Sequence, residues 1–103
     1  MQTPIETAAD GAALVDALPE PPAGWQHSVD GGAVVEYRLP GDDGVCAAAK
    51  LTVRPDVLGD AAVRVDRTRG CKSAGTTYHG GVAEAVEAVE TELRTASETL
   101  NDS

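Results

Sequence analysis

Between Ala33 and Arg67 the chain alternates apolar and polar side chains in three successive segments, and a period of two is the signature of a half-buried sheet. In Ala33-Val34-Val35-Glu36-Tyr37-Arg38-Leu39 the odd positions form one face, with Val34, Glu36 and Arg38 on the other. In the second segment Val45, Ala47, Ala49, Leu51 and Val53 oppose Cys46, Ala48, Lys50, Thr52 and Arg54. In the third, Ala61, Val63 and Val65 oppose Ala62, Arg64 and Asp66. The connections, Pro40-Gly41-Asp42-Asp43-Gly44 and Pro55 to Asp60, are short and built of turn residues, so these strands are expected to be antiparallel neighbours. A fourth, short strand is expected over Gly24-Trp25-Gln26-His27-Ser28-Val29, joined to Ala33 through Asp30-Gly31-Gly32.

A sheet with one apolar face needs a second layer, and the two ends of the chain supply it. Thr3-Pro4-Ile5-Glu6 carries an N-cap, a proline at the first helical position and a capping box. The helix they open runs to about Leu18, with Ile5, Ala8, Ala9, Ala12, Val15 and Leu18 near helical spacing, before Pro19-Glu20-Pro21-Pro22 ends it. A longer C-terminal helix is marked by Val82, Val86, Val89, Leu93, Ala96 and Leu100; Glu84, Glu87, Glu90 and Glu92 take its other faces, and Glu90 is spaced to pair with Arg94. Between the third segment and this helix, residues 68–81 hold four glycines and are expected to be a loop. The fold expected is α+β in a single domain, residues 1–103. It has two layers, a four-stranded antiparallel sheet with the N- and C-terminal helices packed on one face in the order α-β-β-β-β-α. The opposite face stays open.

The apolar residues are mostly Ala and Val, with no Phe, one Trp and two Tyr, so Trp25 is expected to fill core space rather than act as a stacking platform. The net charge is −9, from 17 acids against 8 bases of which only two are Lys. This acid excess, Lys scarcity and loss of aromatics resembles the small acidic proteins of extremely halophilic archaea. The resemblance implies a salt-rich cytoplasm, where a Debye length of about 3 Å at 1 M salt suppresses self-repulsion. It implies no catalytic or binding residue. There is neither an apolar run near eighteen residues nor a basic segment leading into an apolar one, so no membrane association is expected and the cytoplasm is the expected location. Cys46 and Cys71 lack CxxC spacing and are expected to be reduced thiols.

Charge is unevenly distributed. Residues 1–37 hold six acids and no base, and residues 73–103 hold six acids and only Arg94; residues 38–72 hold five acids and seven bases. Of those seven, Arg38, Lys50, Arg54 and Arg64 fall on the polar side of their strands and are the first candidate ligand-binding set. A small non-enzymatic protein-interaction module is the leading expectation, with a homodimer or a protein partner on the open sheet face or edge. Nucleic acid or another polyanion is the alternative, disfavoured by a pI near 4.4 and by the lack of aromatics on the polar face. Cross-strand pairing with Glu36 and Asp66 is the structural explanation for the same charges.

A second candidate is an anion site at the N-terminus of the C-terminal helix, with Lys72, Ser73, Thr76 and Thr77 as donors. Its glycines do not follow the phosphate-loop pattern. A third is a thiol enzyme using Cys71 and His79. Cys46, Cys71, His27 and His79 are the right number for zinc but are scattered, so neither a metal nor another cofactor is expected.

Overall fold

A computed structural model describes residues 11–31, 33–41, 46–56 and 61–101, the last five of these in backbone only. The capping signal at Thr3-Pro4-Ile5-Glu6, the apolar positions Ile5, Ala8 and Ala9, and Val45 with most of its preceding turn lie outside the described residues. The described elements are α1 (Gly11–Ala17), β1 (Gln26–Asp30), β2 (Val34–Leu39), β3 (Ala49–Pro55), β4 (Val63–Arg69), β5 (Lys72–His79) and α2 (Val82–Asn101). The fold is α+β. The five strands form one antiparallel sheet in the order β1-β2-β3-β4-β5, so every strand pairs with its sequence neighbour.

The sheet has five strands rather than four, because Lys72–His79 continues it instead of forming a loop. Arg69 pairs with Lys72 across a two-residue turn, Gly70-Cys71. Gly70 takes φ 60° and Cys71 has no positive φ, the pattern of a type II′ hairpin turn, whose first central position favours glycine. Further along, Gly75 lies opposite Arg67 and Ser73 opposite Thr68, which leaves Ala74 as an extra residue and makes a bulge. Gly75 has φ 119°, and a β-carbon there would come within 3.0 Å of Arg67 Nη2.

The alternation of the three central strands sorts their side chains as the sequence pattern predicts, except at the start of the third segment, where Ala62 rather than Ala61 is buried. Val35, Tyr37, Ala47, Ala49, Leu51, Val53, Val63 and Val65 are buried, while Glu36, Arg38, Lys50, Thr52, Arg54, Arg64 and Asp66 are half-exposed on the other side. Both helices cover the apolar side. Leu14 of α1 and Ala85, Val89, Leu93 and Ala96 of α2 join the strand residues in one core cluster, with Trp25 at 9% exposure as its predicted filler. On α2 the fully buried residue of the first two turns is Ala85, one position before the expected Val86. A methyl group there lets the helix lie close to a sheet face made of valines.

The helical layer does not reach the edge of the sheet. All five residues of β1 are exposed, and the His27 ring stacks on Tyr37 with centroids 4.8 Å apart and planes 11° from parallel. Tyr37 is fully buried, and its hydroxyl donates a 2.7 Å hydrogen bond to the Pro19 carbonyl in the segment that leads from α1 to the sheet. Burial, with the Glu20 carboxylate adding to it, pushes the phenol up to about 12. The folded state holds this proton more tightly than the unfolded chain, whose tyrosine titrates near 10. Stability from Tyr37 is therefore complete below pH 10 and is lost as pH rises toward 12. Urea denaturation should show the wild type losing about 2–3 kcal/mol across that interval. Tyr37→Phe should cost about 1 kcal/mol at pH 8 and lack most of that alkaline loss.

Candidate functional site

The uncovered face of the sheet is a grid whose rows follow from the strand register. One row crosses Gln26, Arg38, Lys50, Thr68 and Ser73, and the next crosses Ser28, Glu36, Thr52, Asp66 and Thr76. A third contains Arg54, Arg64 and Tyr78. Arg38, Lys50, Arg54 and Arg64 thus share one face, in two pairs of like charge placed directly opposite each other. Like charges at such positions are destabilising, so each pair needs a neutralising partner or carries a cost.

The two pairs differ in this respect. Asp66 lies beside Arg54 and Arg64, with its carboxylate 3.5 Å from the first guanidinium and 3.1 Å from the second. The Thr76 hydroxyl donates to the same carboxylate at 2.6 Å. Partial burial works to raise the Asp66 carboxyl, and the Thr76 hydrogen bond with the Arg64 and Arg54 charges outweighs it, holding the group below its ordinary value. This is the cross-strand pairing that the sequence offers as the structural explanation for its basic residues.

Arg38 and Lys50 have no such counterpart. Among the described residues neither enters an ion pair, and Glu36, two residues from Arg38, pairs with neither. Both line an open cleft of about 340 Å³, together with Thr68, Ala47, Gly70 and the two cysteines. Backbone bonds fix the cleft's end: Ala48 N donates to Leu39 O at 2.7 Å and Gly70 N to Ala48 O at 3.2 Å.

Cys46 and Cys71 form a disulfide, with Cα atoms 5.3 Å apart, which corrects the expectation of reduced thiols. The antiparallel β3–β4 pair brings them together: Ala49 faces Arg69, so the residues just before β3 and just after β4 extend past the same end of the sheet. A link across this sequence separation of 25 is worth about 2–4 kcal/mol. The bond corrects two further expectations. Cys71 is not a free nucleophile, and His79 stands at the far end of β5, bonded to the Thr77 hydroxyl at 3.0 Å. At about 3.3 Å per residue, the length of β5 separates Cys71 from His79, so the pair does not meet. His27 lies on β1 against Tyr37, and among the described residues no cluster of His, Cys, Asp or Glu is arranged to hold a metal.

The second candidate set is also dispersed. Lys72, Ser73, Thr76 and Thr77 lie along β5 rather than in a loop at the start of α2. Thr76 is occupied by Asp66 and Thr77 by His79, and Gly80 N meets Glu84 at 3.4 Å at the helix start.

Arg67 and Arg69 were not singled out by the sequence, although continuing the β4 alternation from Val63 and Val65 would have placed them on the helix side. There they bind Glu92 of α2, Arg69 at 2.9 Å and Arg67 at 3.5 Å, and Arg67 also donates to the Ala74 carbonyl at the bulge. Glu90 and Arg94 are both exposed; the ion pairs of α2 run from Glu92 to the sheet rather than along the helix. No described helix is long and apolar enough to cross a membrane. Compared with protein-family models, curated proteins and solved structures, the chain matches none.

The contrast between the pairs has a measurable consequence. Urea denaturation should find Arg38→Gln or Lys50→Gln unchanged or stabilised by about 0.2–1 kcal/mol, because a like-charge contact is removed. Asp66→Asn should instead cost about 0.5–1 kcal/mol, a modest value because its partners are partly solvated. The Asp66 contribution should be present above the ordinary carboxylate range and fade as pH falls through the depressed folded value.

Proposed function

We propose that the chain is a small non-enzymatic interaction module that receives an acidic protein partner on its open sheet face. The observation that supports this most is the Arg38–Lys50 pair, two adjacent cations without an ion-pair partner among the described residues, on a face that neither helix covers. In a chain of net charge −9 this is an exception to the prevailing sign, and it marks where an anionic surface is attracted rather than repelled. A protein surface is favoured over nucleic acid because the cations form a compact patch and Asp66 already neutralises the neighbouring arginines.

An NMR titration of the labelled protein in molar KCl, with a Glu-rich peptide and separately with single- and double-stranded oligonucleotides, tests this reading. Shifts confined to the open face around Arg38 and Lys50 with the peptide are expected. Equal or stronger shifts with an oligonucleotide would transfer the function to polyanion binding, and no shift with the peptide would remove the proposal.

The halophilic character implied by the composition belongs to the same proposal. Glu84, Glu87 and Glu90 are exposed on α2, in keeping with a surface that relies on salt to screen it. The melting temperature should rise as KCl is increased from about 0.1 to 2 M, since screening removes repulsion in the folded state. A flat or falling melting temperature would count against salt adaptation. The cytoplasmic location is likewise proposed, and the cysteines offer its test, because disulfides persist in oxidising compartments. The Cys46–Cys71 disulfide counts against that location, and mass spectrometry after alkylation in intact source cells decides: both thiols free would support the cytosol, and a linked pair would remove it.

A further inference from the structure

We infer that the cleft between Arg38, Lys50, Thr68 and the Cys46–Cys71 disulfide is a binding site for a phosphomonoester group. The inference rests on the proposal that the open face binds anions, and it names the chemistry that one part of that face selects.

The first argument is the inventory of charge and hydrogen-bonding groups. Arg38, Lys50 and Thr68 stand side by side in one row across β2, β3 and β4. Arg offers up to five N–H donors in a planar fork, Lys three from a compact charge, and Thr a hydroxyl. Among the described residues no carboxylate lines the cleft, and the other described lining residues, Cys46, Ala47, Gly70 and Cys71, add no charge. A ligand that matches this lining carries acceptors and negative charge.

The second argument concerns valence. A carboxylate brings one charge and two oxygens; held bidentate by Arg38, it leaves Lys50 uncompensated. A phosphomonoester carries −1.5 to −2 at pH 7 and three acceptor oxygens, enough to meet the guanidinium and the ammonium together and still accept from the hydroxyl. It converts an unfavourable cross-strand contact into two favourable ones, as Asp66 does for Arg54 and Arg64 two rows away.

The third argument is containment. The disulfide and the backbone bonds from Ala48 to Leu39 and from Gly70 to Ala48 close one end of the cleft with a cross-linked wall. At about 340 Å³ the space exceeds a phosphate ion and admits the carbon skeleton that bears it. Both cations are half-buried, so salt screens them less than it screens fully exposed charges.

The test is an NMR titration of the full oxidised chain at pH 7.5 and fixed KCl, with inorganic phosphate, O-phosphoserine, serine and acetate as separate probes. Phosphate and phosphoserine should move the amides of Arg38, Lys50 and Thr68 and bind at least tenfold more tightly than acetate, with serine silent. Tighter binding of phosphoserine than of phosphate would identify an organic phosphate as the ligand; the reverse order would identify the free ion. Arg38→Gln and Lys50→Gln should each weaken binding at least tenfold, Arg38→Lys only a few-fold, and Arg54→Gln not at all.

Equal affinity for acetate and phosphate, or equal loss in Arg54→Gln and Lys50→Gln, would overturn the inference, since either would mean diffuse attraction rather than a site. Folding is not at issue in Arg38→Gln and Lys50→Gln, which relieve repulsion, and amide spectra report it directly for all three glutamine variants. A Glu-rich peptide that shifts the open face while phosphate does not would leave the interaction module standing and remove the phosphate site. Phosphate binding without any peptide response would retain the site and remove the module.

Discussion

The structure depends on a core made of small side chains. With no Phe and few other aromatics, valine and alanine must fill the space between sheet and helices, and dispersion contacts form only if the layers lie close. Ala85, Val89 and Ala96 provide that close approach on α2, while Tyr37 is placed where one large residue is tolerated, beneath the edge of the helical layer and tied to Pro19. A thin, close core also limits how much sheet two helices can roof. The inner side of β1 remains exposed, and the stacked His27 covers part of what the helices do not.

The same constraint divides the polar chemistry of the molecule into two populations. On the helix side, Arg67 and Arg69 extend beyond the apolar rows and are neutralised by Glu92, so a half-buried ion-pair cluster continues the core to the sheet's other edge. On the open side, the sheet presents its cations to water. Asp66 organises one pair there, and the other pair stands at the mouth of a cleft whose end is cross-linked. The proposed roles for Arg38 and Lys50 follow from this difference between two otherwise equivalent rows.

Much of the arrangement was legible in the sequence. The alternation of Val35, Tyr37, Leu51, Val53, Val63 and Val65 is strong because each inward position is apolar, and it assigned the facing of Arg38, Lys50, Arg54 and Arg64 correctly. β5 was not legible, because its inward positions are Gly75, Thr77 and His79; a strand at the margin of the covered area has no apolar phase to display. The signals that could have found it were the β-prone run Thr76-Thr77-Tyr78 and a glycine suited to a hairpin turn at position 70. Nor could composition separate the free cations from the paired ones. That distinction depends on where one side chain turns: register sets Asp66 opposite Thr52, diagonal to both Lys50 and Arg54, and its carboxylate goes to Arg54 and Arg64. The disulfide was hidden for a similar reason: residues 25 apart become neighbours only once β3 and β4 pair antiparallel.

The extra residue at Ala74 gives the two margins of the sheet unequal capacity for growth. A bulge increases local twist and interrupts the even spacing of backbone groups, which makes the outer side of β5 a poor template for a further strand. β1 pairs with β2 without a register shift. A sheet with one plain margin and one blunted margin has a direction, and two copies joined through their plain margins would leave only blunted ones outside. Such geometry terminates at a pair and opposes propagation into a fibre.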